Sequence, residues 1–148
     1  ERFDLHFAIH VRTPSLLAQA FAAQNLSRGL IVNIIDQRVW RLRPTYYSYT
    51  LSKAALWTAT QTIAQALGPA IRVNAIGPGP TLPNSRQSQE DFQGQQVGLI
   101  LKKGPNLAEF GKTIRYFWEA PSVTGQMIAL DGGQHLAWET PDIAGITE

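Results

Sequence analysis

Leu30-Ile31-Val32-Asn33-Ile34-Ile35-Asp36 is the stretch of sequence that decides the fold. Five of its first six residues are aliphatic, which is typical of a parallel strand covered on both faces. Asp36 follows directly at the carboxyl end of this run. The stretch therefore predicts a buried strand that ends in an acidic side chain.

Working outward, residues 71–76 and 126–130 predict two more strands, and three segments show helical spacing. The first helix starts at the N-terminus without a cap and is interrupted by Pro14. The second spans residues 46–67 and ends at Gly68-Pro69. The third spans residues 106–118. The apolar faces of the last two helices are Leu51, Ala55, Ala59, Ile63 and Leu67, and Leu107, Phe110, Ile114 and Phe117.

Helices that alternate with apolar strands predict an α/β layer structure with a parallel sheet. Gly77-Pro78-Gly79-Pro80 is predicted to be a loop rather than part of a strand. Residues 87–101 are ambiguous, with a short helix as one interpretation. We expect one domain over residues 1–148. Three strands make a thin sheet, so we expect this domain to be the carboxyl-terminal portion of something larger.

Composition excludes several classes of protein. The chain has 148 residues, 44% of them hydrophobic and 16% charged, as in an ordinary globular domain. No apolar run approaches the ~18 residues of a membrane span, and the first residues lack the pattern of a signal peptide. Without cysteine, neither a disulfide framework nor a thiolate metal site is available. A cytoplasmic location and no membrane partner fit these features.

Three arginines surround a tryptophan after the first strand. Arg38, Arg41 and Arg43 flank Trp40, in a chain whose net charge is +2. A nucleic-acid site would use the arginines on phosphates and the tryptophan for stacking, but one loop is a small footprint. We therefore expect no nucleic-acid partner. Two other interpretations remain open: a solvated loop with a packed tryptophan, or a loop that contacts an anionic cofactor or substrate.

Tyr49 and Lys53 are the main candidates for catalysis. They lie four residues apart on a predicted helix, so both side chains project from one face. A nearby ammonium favours the phenolate and is expected to lower the pKa of Tyr49, which would then exchange a proton with a substrate. Asp36 and Pro78-Gly79 follow two strands at the rim where open α/β sheets bind ligands. These features converge on one site.

Four motifs carry a resemblance to a known family. They are residues 31–36, Tyr49-Thr50-Leu51-Ser52-Lys53, residues 71–79 and residues 124–133. In this order and spacing they resemble the short-chain dehydrogenase/reductase family. The resemblance implies a Rossmann-type, doubly wound parallel sheet and an enzyme that moves hydride to or from a nicotinamide.

Two positions depart from the usual pattern of that family. Most members carry a serine where this chain has Asp36, and an asparagine where it has His10 in the helix before the strand. Asp36, His10 and the following Pro14 resemble the pteridine-reducing branch, including bacterial dihydromonapterin reductases. The resemblance implies catalytic roles for Tyr49, Lys53, Asp36 and His10. It also implies a water relay that leads to the lysine. The backbone carbonyl of His10 would hold a water of this relay, because Pro14 has no N–H to donate to that carbonyl.

The same resemblance implies cofactor contacts. Pro78, Gly79 and Thr81 match the loop that borders nicotinamide and pyrophosphate, although Pro83 replaces a usual threonine. Residues 82–101 align with a mobile lid over the substrate. The branch implies NADPH, but the glycine-rich phosphate turn would lie upstream of this sequence. We therefore expect the 148 residues alone to bind dinucleotide poorly.

The resemblance also bears on assembly and on metals. The two helices rich in small residues, around residues 14–23 and 51–67, match those of the family's dimer interface. A homodimer or homotetramer is therefore expected. His6 and His10 are four residues apart and are the rival metal pair, but no third ligand at suitable spacing is evident, so no metal is expected.

Three functions follow from these observations. The first is an NADPH-dependent reductase of a dihydropterin, in which Tyr49 protonates a ring nitrogen with help from Asp36. The second keeps the fold and reduces a carbonyl compound, such as a 3-oxoacyl thioester. The third is a non-catalytic binding protein on the same scaffold. An aspartate favours the first, because a carboxylate repels a carbonyl oxygen that is becoming an alkoxide.

Overall fold

The sheet has three parallel strands, in a computed structural model that describes residues 2–83 and 87–146. β1 is Gly29–Ile34, β2 is Ile71–Pro78 and β3 is Met127–Leu130, in the spatial order β1-β2-β3. Both pairs are parallel. The predicted α/β class with a parallel sheet is confirmed.

Five α-helices accompany the sheet in the described residues. They are α1 Arg2–Phe7, α2 Thr13–Ala22, α3 Tyr47–Leu67, α4 Gln89–Val97 and α5 Leu107–Glu119. Short 3-10 turns cover Gln37–Val39 and Gln134–Leu136. Among these helices, none combines the length and apolar character that crossing a membrane requires.

The interruption predicted at Pro14 takes the form of a π turn. Ala8–Arg12 forms this turn between α1 and α2, and the N–H of Thr13 donates to the carbonyl of Ala8, five residues back. Pro14 has no N–H and stands in the first turn of α2, where a helix tolerates it. The wider turn lets the helix continue past the proline. Because of this, His6 and His10 stay close to α3.

Burial differs between the two long strands. Val73, Ala75 and Ile76 of the central strand β2 are completely buried. Most of β1 is only half-buried, and Ile34 is 46% exposed. The expected cover on both faces of β1 is therefore incomplete in the described residues, where β1 pairs with β2 alone.

The buried face of α3 is also not the one predicted. Its buried side chains are Thr50, Ser52, Lys53, Leu56, Thr60 and Ala64. Leu51 is exposed, and the rest of the predicted apolar stripe is half-buried, with Ala59, Ile63 and Leu67 lining a groove against α2. Thr60 can face the sheet because its hydroxyl is satisfied there: the Asn33 amide donates to Thr60 Oγ1, which donates to the Leu56 carbonyl.

The loop predicted at residues 77–80 begins later than expected. β2 continues through Gly77 and Pro78, and Pro78 pairs with Leu130 of β3. Pro78 is tolerated because it follows the residues of β2 that pair with β1. That pairing ends with Ile34 and Ile76. The strand therefore carries the chain further toward the rim than its composition indicated.

The described part of residues 82–101 is anchored to the fold. Phe92 of α4 and Leu99 are buried, and the N–H of Leu101 donates to the carbonyl of Gly132. Residues 84–86 of the segment lie outside the described residues. The expected role as a mobile lid therefore stays a prediction for this segment.

Candidate active site

The carboxyl ends of β1 and β2 bring the first candidate residues to one rim. Ile34 is level with Ile76 in the parallel register, and the N–H of Ile35 continues the ladder to the Ile76 carbonyl. The same offset puts Asp36 level with Pro78. In sheets of this type, ligands bind beyond the carboxyl ends of the strands.

Asp36 and Tyr49 are joined by a hydrogen bond. The Tyr49 hydroxyl donates to Asp36 Oδ2 over 3.0 Å. The other carboxylate oxygen, Oδ1, accepts the backbone N–H of Arg38 at 2.8 Å, which caps the short turn after β1. That cap holds the carboxylate in place, so a proton on Tyr49 has a positioned acceptor beside it.

Lys53 lies on the same side of α3, one turn after Tyr49. Lys53 is buried, with 8% of the residue exposed, and its ammonium donates to the carbonyl of Ile34 over 2.9 Å. Nζ is 5.7 Å from the centre of the Tyr49 ring. Burial lowers the pKa of Lys53, and the charge of Asp36 opposes that effect. The structure thus brings all three predicted residues to one rim.

The pKa of Tyr49 moves in the direction opposite to the expected one. It is raised well above its usual value by burial first, and then by the charge of Asp36 and the hydrogen bond to it. Arg38 acts in the other direction. The expectation that Lys53 lowers this pKa is wrong for the described structure, because burial and the adjacent carboxylate dominate. Tyr49 therefore holds its proton at neutral pH.

His10 is fixed as a neutral ring beside Tyr49. Its Nδ1 is 2.8 Å from Ser52 Oγ, and the two aromatic rings meet edge to face with centres 5.4 Å apart. Ser52 is fully buried and donates its single hydroxyl proton to the Tyr49 carbonyl, so the histidine must donate from Nδ1. Nε2 then carries a lone pair.

His6 repeats this arrangement one turn earlier. Its Nδ1 is 2.9 Å from Ser48 Oγ, and its ring stacks on that of His10 with centres 5.8 Å apart. Among the described residues, no group of three or more histidine, aspartate or glutamate side chains is placed to hold a metal ion. Both Nδ1 atoms serve contacts between α3 and the first helical segment.

His10 leads to a prediction about acid stability. Burial first, then the charges of Lys53 and His6, lowers the pKa of His10 from 6.5 to about 4. Between these values the unfolded chain binds a proton that the folded chain does not, so stability falls as the pH drops through this window. We expect the free energy of unfolding to decline less in His10→Asn than in wild type, measured by urea denaturation at about pH 7 and about pH 4.5. Parallel declines would contradict the prediction.

The predicted cofactor loop is held by contacts within the chain. A Cβ on Gly79 would lie 2.7 Å from Asp131 Cα, so glycine is needed here for packing against the chain after β3. The Thr81 hydroxyl donates to the Gly79 carbonyl over 3.0 Å. Thr81 would have to give up that bond to donate to a phosphate. Cofactor contacts by Pro78, Gly79 and Thr81 stay predictions.

Ser52 and Arg38 were not among the predicted site residues. No sequence signal links Ser52 to His10, because the pair is 42 residues apart and meets only through helix packing. Arg38 did have a signal, since it belongs to the arginine loop. The arginines of that loop have different partners in the structure. The Arg38 guanidinium lies over the rings of Tyr46 and Tyr49, whereas Arg41 donates to the Gln134 carbonyl.

Known proteins with similar sequences and structures support one family. A family model described as Enoyl-(Acyl carrier protein) reductase matches residues 1–135. Dihydromonapterin reductase of Citrobacter koseri is 35% identical over 134 residues, which are 86% of this chain and 55% of that protein.

Two solved structures extend the comparison. The crystal structure of FolM alternative dihydrofolate reductase 1 from Brucella suis, in complex with NADP, is 64% identical with a TM-score of 0.94, covering 96% of this chain and 58% of that chain. LugOII, a promiscuous reductase that catalyses keto-reduction at C1 during lugdunomycin biosynthesis, is 25% identical with a TM-score of 0.84, covering 93% and 56%. The chain thus spans between half and two thirds of the length of these proteins.

Proposed function

Because the chain belongs to the short-chain dehydrogenase/reductase family, with its Rossmann-type doubly wound fold, we propose that the protein is an NADPH-dependent reductase of a dihydropterin. The observation that carries this proposal is the hydrogen bond from Tyr49 to Asp36, at the position where most family members have a serine. The resemblance to a dihydromonapterin reductase and to an NADP-bound dihydrofolate reductase supports the same substrate class.

The donors at the rim fit a nicotinamide cofactor. The Lys53 ammonium has three N–H groups, and the carbonyl of Ile34 is its one hydrogen-bond partner among the described residues. Two N–H groups remain for the hydroxyls of a ribose. The bound nicotinamide supplies the hydride. Lys53 orients it, and Pro78, Gly79 and Thr81 border it at the end of β2.

Tyr49 supplies the proton in this proposal. Reduction of a C=N bond adds hydride to carbon, and the π electrons move to nitrogen, which must gain a proton. Tyr49 donates that proton from its hydroxyl, and its raised pKa keeps the proton available at neutral pH. Asp36 holds the hydroxyl in position, or alternatively accepts an N–H of the pterin. The neutral ring of His10 packs edge to face against Tyr49 and supports the position of its ring.

A carbonyl substrate is the second candidate, favoured by the likeness to the keto-reductase LugOII. The carboxylate of Asp36 argues against it. A ketone oxygen that accepts a proton from Tyr49 becomes negatively charged on the way, close to a group of the same charge. A ring nitrogen of an imine does not meet this repulsion to the same extent, because it is more basic than a ketone oxygen and takes up its proton before a negative charge develops.

A substrate panel on the full-length protein tests the proposal. We expect NADPH oxidation with 7,8-dihydromonapterin or 7,8-dihydrobiopterin to exceed that with acetoacetyl thioesters and simple ketones, compared as kcat/KM. The same panel with NADH measures the preference for the phosphorylated cofactor. Equal or better turnover of the ketones would reject the pterin proposal and retain the family. No turnover of any substrate would favour a non-catalytic binding protein.

Assembly into a homodimer or homotetramer is part of the proposal. The first helical segment leaves apolar side chains exposed, with Leu5, Leu16 and Leu17 each more than half exposed. Small residues of α2 and α3 line a shallow groove beside them, including Ala18, Ala22, Ala59 and Ala66. A second copy of the chain would cover this surface. Light scattering on the full-length protein would measure the assembly, and a cytoplasmic location is proposed with it.

A further inference from the structure

We propose that Arg38 is a substrate-binding residue that donates N–H groups to the exocyclic 4-oxo oxygen of the dihydropterin, on the same edge as the nitrogen that Tyr49 protonates. This inference deepens the proposed function and rests on it. It assigns a role to the arginine loop, which neither the family motifs nor the catalytic residues explain.

The position of Arg38 ties it to the reaction site. Its backbone N–H donates to Asp36 Oδ1, while the Tyr49 hydroxyl donates to the other oxygen of the same carboxylate. The guanidinium carbon is 5.9 Å from the centre of the Tyr49 ring. The carboxylate of Asp36 therefore contacts both Arg38 and the hydroxyl of Tyr49, which places the two residues next to each other at the site.

The guanidinium of Arg38 also contacts a second aromatic ring. It lies over the Tyr46 ring, with 5.1 Å from the guanidinium carbon to the ring centre. An arginine that stacks through its face keeps its N–H groups pointing sideways, in the plane of the group. Tyr46 itself adopts a left-handed conformation with φ of 61°, so the backbone before α3 is bent into the place that allows this stacking.

The charge of Arg38 is not neutralised within the described structure. The side chain is half-buried, its Nε is buried without a hydrogen-bond partner, and no carboxylate of residues 2–83 or 87–146 forms an ion pair with it. A cation taken partly out of water costs free energy unless an acceptor compensates it. A ligand oxygen at the site would provide that acceptor.

The chemistry of a dihydropterin supplies an oxygen in the required place. Going from a 7,8-dihydropterin to the tetrahydro form reduces the N5=C6 bond, so the proton goes to N5. The 4-oxo oxygen is on C4, which is bonded to the same ring-fusion carbon as N5, so the oxygen and N5 lie on the same edge of the molecule. A donor beside Tyr49 therefore reaches this oxygen. A guanidinium has no acceptor, so it would disfavour an analogue with a 4-amino group there.

The test measures which ligand loses affinity when Arg38 is changed in the full-length protein. Arg38→Met removes the donors, and Arg38→Lys keeps the charge without the planar group. We expect Arg38→Met to raise KM for the dihydropterin about tenfold, the size expected for a hydrogen bond to a charged group. The KM for NADPH should stay within about twofold, and the affinity for a 2,4-diaminopteridine should stay unchanged or increase.

Arg41→Met is the matched control, because it removes the same charge from the same loop. Arg41 donates to the Gln134 carbonyl at 3.4 Å. Its replacement by methionine should leave the KM for the dihydropterin and the KM for NADPH unchanged. A rise in KM for NADPH alone would assign Arg38 to the dinucleotide and reject the proposal. Equal losses for oxo and diamino ligands would also reject it, as a structural effect.

The outcomes separate this inference from the function on which it rests. Wild-type protein that does not reduce the dihydropterin rejects both. Active wild-type protein, together with an unchanged KM in a folded Arg38→Met variant, rejects the role of Arg38 alone. Arg38→Lys provides the second variant if Arg38→Met does not fold, and we expect it to show a smaller rise in KM for the dihydropterin.

Discussion

Tyr49→Phe is expected to lower kcat for dihydropterin reduction by about 10²- to 10⁴-fold, the range for removal of a positioned proton donor. The change deletes one oxygen and keeps the ring that packs edge to face against His10 and His6. The fold should therefore persist, and the loss should lie in kcat more than in KM for NADPH. Steady-state kinetics of the full-length protein measure both constants.

Tyr47→Phe is the matched control for this change. Tyr47 is two residues away on the same helix, and it is 69% exposed. Removing its hydroxyl should leave kcat within about twofold of wild type, as for most exposed substitutions. A Tyr49→Phe enzyme with wild-type turnover would show that another group donates the proton, or that the scaffold works by binding alone.

Asp36→Ser is expected to exchange one substrate class for another. The change introduces the residue that most family members have at this position and removes the carboxylate that accepts the Tyr49 hydroxyl. We expect kcat/KM for the dihydropterin to fall about 10²-fold, because proton delivery to the ring nitrogen loses its positioning group. Turnover of a ketone should stay level or rise, since the repulsion on a developing alkoxide is removed.

The pH profile provides an independent readout for Asp36. Its charge and its hydrogen bond are the second and third causes that raise the pKa of Tyr49, after burial. Without the carboxylate that pKa falls, so the protonated tyrosine is lost at a lower pH. Reduction needs the protonated form, and the alkaline limb of the kcat profile should therefore move to lower pH in Asp36→Ser. Asp36→Asn, which keeps the shape, should move it in the same direction. An unmoved limb in both variants would contradict the assignment.

Local spacing drew attention to the three central residues, and the family resemblance supplied their expected roles. Tyr49 and Lys53 are one helical turn apart, and Asp36 follows directly on an apolar strand. Neither feature depends on the rest of the molecule, because helix and strand periods are properties of the backbone. The parallel register then puts the strand ends at one rim, as the apolar pattern predicted.

The electrostatics of the same residues could not be predicted in this way. Four-residue spacing suggested that Lys53 acts on Tyr49, but its ammonium donates to the Ile34 carbonyl and Tyr49 responds mainly to burial and Asp36. Burial depends on what packs over a side chain. The buried face of α3 shows the same limit, since its most deeply buried residues include Ser52 and Thr60 rather than the aliphatic stripe.

From its order of residues alone, this chain is an α/β protein with an aspartate after a strand and a tyrosine and a lysine one turn apart on the next helix, because those features follow from short-range backbone geometry. Tertiary packing decided how the residues work. It pairs His10 with Ser52 and His6 with Ser48 across 42 residues, and stacks Arg38 over Tyr46. Such pairings depend on how helices dock against a sheet, and no local period in a sequence specifies that docking.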